Sequence, residues 1–106
     1  KNPNTAQALT NAIVRANRWI QQAGPSDIVK AVPESYLLGD RAVYIDAFLA
    51  AKGALSPDGS IPDAGADTAL RALRSIDESL NNVQFDLKAV YTNDFVKKAN
   101  AKYPKA

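Results

Sequence analysis

The 106 residues contain no cysteine, no histidine and no methionine. Without cysteine there are no disulfides and no thiolate metal sites, although this leaves the redox compartment open. Without histidine the chain lacks the usual general base, the usual zinc ligand and the side chain that titrates near neutral pH. No apolar run approaches the roughly 18 to 20 residues of a membrane span, and no stretch has the make-up of a signal peptide. The missing methionine extends to position 1. The chain opens on Lys1-Asn2-Pro3-Asn4, which reads as the interior of a longer protein, a processed product or an excised piece.

What is present is ordinary for a folded protein: 46% apolar and 23% charged residues, in a length that suits one small domain. Thirteen Lys and Arg stand against eleven Asp and Glu, giving +2 with the signs interleaved. No dense basic cluster with interleaved aromatics occurs, so nucleic acid is not an expected partner.

Periodicity predicts helices. Leu9, Ile13, Ala16 and Ile20 share one face of a helix over 5–23, with Asn4 or Thr5 as cap, Trp19 at the border and Arg15 and Arg18 on the other side. Gly24-Pro25 stops it, with Gly24 as the C′ residue. Ser26 caps a short second helix with Asp27 in its first turn, and Pro33 ends that helix. Pro33-Glu34-Ser35-Tyr36 can form a single turn, Gly39 breaks the chain, and Asp40 caps the next helix.

Arg41 to Lys52 is apolar almost throughout, interrupted only by Asp46. That pattern predicts a central helix buried on more than one side. Asp46 would then be an interior acid needing an Arg, a Tyr hydroxyl or a backbone amide. Ala69, Leu70, Leu73, Ile76 and Leu80 mark another helix, ended by Asn81-Asn82. Val83-Gln84-Phe85-Asp86-Leu87 alternates and reads as a lone strand or an extended connector. Thr92 or Asn93 caps a last helix with Phe95, Val96 and Ala99 inward. The expected fold is mainly α: about five helices and at most one short extended segment, in a single unit over 1–106.

Candidate chemistry is sparse. The loop Ser56-Pro57-Asp58-Gly59-Ser60-Ile61-Pro62-Asp63-Ala64-Gly65-Ala66-Asp67 supplies oxygens at Asp58, Ser60, Asp63 and Asp67. Their spacing fits no calcium loop and no closing bidentate acid follows, so turn chemistry is the better reading. Gly59 and Gly65, six apart with no following Lys-Ser/Thr, make no phosphate loop. Asp40 and Asp46 point to different helix faces, and the aromatics Trp19, Tyr36, Tyr44 and Phe48 read as core. No catalytic, ligand-binding or metal residue and no cofactor is assigned, and an enzyme is not expected.

One pattern does point to a function. Asp86-Leu87 followed by Ala89-Val90-Tyr91-Thr92-Asn93-Asp94-Phe95-Val96-Lys97-Lys98-Ala99 resembles a C-terminal signature of ABC-importer substrate-binding proteins. These are the nitrate, sulfonate, taurine and thiamine-precursor type. Asn2 to Leu9 with Ala12 to Ile20 is similar to that family's long helix after its last ligand-proximal strand. Ser56 to Pro62 resembles its Asp-Gly…Pro segment before the penultimate helix. The resemblance spans essentially the whole chain, but only the C-terminal third of the family's length.

It implies the helical C-terminal part of a two-lobe α/β type II periplasmic binding protein, exported to the periplasm. The whole protein would capture a small anionic or organosulfur-type solute and hand it to a membrane permease. Pocket residues would lie upstream, so none is carried over. If isolated, such a helical layer is expected to self-associate through the Leu9–Ile20 stripe and the helix bearing Val43, Phe48 and Leu49. The alternative is a self-contained helical protein-interaction domain.

Overall fold

The computed structural model describes residues 1–104; the last two residues of the unit expected over 1–106 lie outside them. It is helical, as the periodicity predicts, with six α-helices and no strand among the described residues: α1 (Pro3–Gln22), α2 (Pro25–Ala31), α3 (Arg41–Lys52), α4 (Asp63–Ile76), α5 (Leu87–Val90) and α6 (Asp94–Lys102). Short 3₁₀ turns cover Glu34–Leu37 and Glu78–Leu80.

Helix ends depart from the sequence expectation where proline and aspartate act locally. α1 begins earlier, with Asn2 rather than Asn4 or Thr5 before it and Pro3 in its first turn, where a missing N–H costs nothing. Gly24 is not a left-handed C′ residue but extended (φ −91°, ψ 174°), and it, not Ser26, precedes α2. Pro25 takes the first helical position, and the Asp27 carboxylate accepts from the Gly24 N–H at 3.0 Å. Asp40 caps α3 as expected, accepting from Ala42 and Val43.

α4 stops at Ile76, short of Asn81-Asn82, because Asp77 turns extended. Its carboxylate accepts from the Ser79 N–H at 3.0 Å and hydroxyl at 2.6 Å, an alternative to helix continuation. After the connector, Asp86 accepts from the Lys88 N–H at 3.1 Å and starts the single turn of α5, which alternation did not foretell.

Packing is thin and one-sided. The buried apolar residues are Val14, Ala23, Ile28, Leu37 and Ala99. α3 contributes none of them, so the expected central helix lies at the periphery: Val43 and Leu49 are exposed, Tyr44, Ile45 and Phe48 half-buried. Asp46 is exposed rather than interior and needs no partner.

The firmest contact is α1 against α6, and it uses the polar side of α1. Gln7, Asn11, Val14, Arg18 and Gln21 are sheltered, while Leu9 and Ile13 are 62% and 59% exposed. Arg18, expected on the water side, thus lies on the packed one.

The shape follows from this. The radius of gyration is 17.4 Å, against about 13 Å for a compact chain of this length. The accessible surface is 8035 Å², against about 5,800 Å² for a folded monomer of this mass.

Candidate functional site: the loop clasped between α1 and α6

Loop 56–62 leaves the C-terminal side of α3 and is tied to both long-range helices. Its turn is built by Ser56 and Asp58. The Ser56 hydroxyl accepts from the Gly59 N–H at 2.9 Å, and Asp58 Oδ1 accepts from the Ser60 N–H at 2.9 Å and hydroxyl at 2.7 Å. Gly59 sits at φ +80°, where side chains are strained. Its α-carbon also lies so close to α1 that an added Cβ would stand 3.0 Å from Val14 Cγ2. Val14 has no exposed surface, so glycine is required here twice over.

α6 holds the loop from the other side. The Asn93 side chain donates to the Ile61 carbonyl and accepts from the Ile61 N–H, both at 2.9 Å. Asn100 donates to the Asp58 carbonyl at 2.9 Å and accepts from Arg18 of α1. Gln7 donates to the Phe95 carbonyl at 2.9 Å, and the Arg15 guanidinium stands over the Tyr103 ring. Three separate stretches, at 7–18, 56–61 and 93–103, therefore meet at one junction.

The sequence suggested Asn93 only as an alternative cap for α6. It occupies that position, but its amide is turned away to the loop and makes no capping bond. Thr92 supplies the cap-like contact, its hydroxyl accepting from the Asp94 N–H at 3.2 Å. The clamp roles of Asn93 and Asn100 were not foreseen. Asn93 did stand within the Tyr-Thr-Asn signature, and that was its only signal.

The loop's acids do not converge. Asp58 is engaged within the turn, Asp63 accepts from the Tyr91 hydroxyl, and Asp67 pairs with Arg71 at 3.1 Å. No group of three metal-ligating side chains occurs among the described residues. Beside the junction lies an open hollow of about 560 Å³ bordered by Arg18, Asp58, Ser60, Lys97 and Asn100. A second groove of about 640 Å³ follows α4, where Arg74 donates to the carbonyls of Leu80 (3.2 Å) and Val83 (2.7 Å) and stands over Phe85. In the first, Arg18 reaches Asn100 through one nitrogen while its Nε and Nη1 are buried without a hydrogen-bond partner among the described residues, and the Ser60 hydroxyl is spent on Asp58 within the turn.

The hydroxyl of Ser60, then its backbone N–H, holds Asp58 below its usual range, outweighing slight desolvation. A depressed carboxylate adds stability that is complete above the unfolded value near 3.9 and is lost as pH falls through the lower folded value. Acid titration should therefore loosen this loop below about pH 4. Ser60→Ala, which keeps the backbone donor, should move the Asp58 midpoint up towards that of a free aspartate; carboxyl NMR titration reads the change.

No family model and no curated protein matches the chain. Among solved structures, one from Bordetella bronchiseptica RB50 is 54% identical to it, with a TM-score of 0.84. That match covers 96% of this chain and 32% of the other. The chain thus spans about a third of the length of that relative.

Proposed function

We propose that this chain is the C-terminal helical layer of a longer substrate-binding protein of the ABC-importer type. The observation that carries the layer reading is the surface left uncovered: 8035 Å² where a self-sufficient domain of this mass leaves about 5,800 Å². A self-contained interaction domain is less well supported for the same reason.

Two further facts favour the family. Its members are about three times this length, and so is the Bordetella relative, of which this chain covers 32%. Two of the quoted motifs, Ser56–Pro62 and Tyr91-Thr92-Asn93, are also bonded to each other through Asn93 and Ile61. On this reading the whole protein works in the periplasm as a carrier and not an enzyme. It closes on a small solute, nitrate-, sulfonate- or taurine-like, and delivers it to the permease. The segment stiffens one lobe.

The test is thermal denaturation of the full-length protein with nitrate, taurine, alkanesulfonates and thiamine-precursor pyrimidines. A true solute at a hundred times its Kd adds about 2.7 kcal/mol and raises the midpoint by several degrees. The 106-residue segment alone should not respond. No shift with any of these solutes, or a shift in the segment alone, would overturn the proposal.

A further inference from the structure

α1 presents two faces of opposite use. Its polar face is consumed by α6 and the loop. The other carries Thr5, Ala6, Leu9, Ala12, Ile13, Ala16, Asn17 and Ile20, with no charge across nearly half the helix circumference. Leu9 and Ile13 on this face are more than half exposed. Leaving such side chains in water while Gln7, Asn11 and Arg18 are sheltered reverses the usual preference. Burial of leucine and isoleucine side chains is favourable, so covering the uncharged stripe would stabilise the arrangement.

We infer that this stripe is an interface closed by the remaining part of the same longer polypeptide, through an apolar, charge-poor surface. Two observations select that occupant. The segment keeps its fold within a related chain of which it is only 32%, so covering sequence is available in one molecule. The whole chain, stripe included, exposes 8035 Å², roughly 2,200 Å² more than a compact monomer of this mass, so the segment has surface to give to one large permanent interface, about 1,000–2,500 Å² a side. A second copy of this chain is the competing occupant. The inference shares with the proposed function the premise of a longer chain and the uncovered surface, but not the solute or the transporter.

The segment's lack of cysteine permits a direct test by thiol labelling. In the full-length protein, stripped of any other cysteine, Leu9→Cys and Ile13→Cys are compared with Gln22→Cys, an exposed position off the stripe. Native maleimide labelling at positions 9 and 13 should be at least about 100-fold slower than at 22, with all three equal in denaturant. A monomeric mass by light scattering should accompany the protection. Equal native rates would overturn the inference. So would protection lost on dilution together with a halving of mass, which would assign the stripe to a second copy. Protection in a protein that binds none of the solutes would keep the interface and sink only the solute reading.

Discussion

Gly59→Ala should destabilise the fold by about 2–4 kcal/mol, more than any other single-methyl addition in the chain. Two costs add. Holding an L residue in the left-handed region costs about 1–2 kcal/mol, and Gly59 sits at φ +80°. The new methyl must also fit 3.0 Å from Val14 Cγ2, with the Val96 methyls at 3.8 Å on its other side. Overpacking of this kind costs about 1–3 kcal/mol.

Val14 cannot yield easily, since it is fully buried in the α1–α6 contact. Gly53→Ala is the internal control. Gly53 lies in the right-handed region (φ −67°, ψ −18°), and nothing lies within 4 Å of an added Cβ. There the substitution should be neutral or stabilise by about 0.4–1 kcal/mol, through the unfolded chain. Chemical denaturation of the two variants side by side measures the difference. Equal stabilities would mean that the loop does not seat on α1 as described.

The second large effect is expected at Asn93. Asn93→Asp retains the acceptor for the Ile61 N–H but replaces the donor to the Ile61 carbonyl with a second carboxylate oxygen. One 2.9 Å hydrogen bond becomes a contact between two acceptors. The loss of the bond with an acceptor left unsatisfied is worth about 1–3 kcal/mol, and the loop's tie to α6 is weakened.

Asn93→Ala removes both bonds without the repulsion and should cost somewhat less. If Asn93 were only a helix cap the order would reverse, because aspartate and asparagine cap equally well and alanine does not. The ranking of the two variants in denaturation therefore separates a clamp from a cap.

Several features were legible from residue order alone because their causes are local. Helix positions followed the spacing of Leu9, Ile13, Ala16 and Ile20 and of Leu70, Leu73 and Ile76. Asp40 capped α3 because its carboxylate needs only the next turn. The turn role of Asp58-Gly59 was read correctly for the same reason.

The errors lie where a decision rests on what is opposite in space. α3 looks central by composition, yet with few partners here its apolar side chains stay wet. Asp46 was expected to be interior on that same assumption. α4 was extended to Asn81-Asn82 because Leu80 keeps the period, whereas the Asp77–Ser79 bonds end it four residues sooner.

By itself, then, the sequence determined which segments are helical apart from the single turn of α5, where Asp40, Pro33 and Gly59 punctuate them, and which side of α1 carries no charge. These are matters of backbone conformation and of side-chain spacing within a turn or two. Only the tertiary structure decided that α1 turns its polar side inward and that Asn93 serves a loop 32 residues away instead of its own helix. It alone decided that Leu9 and Ile13 on the apolar side of α1 stay exposed. Those outcomes depend on which surfaces are present to compete for each face, and spacing along a chain does not record that.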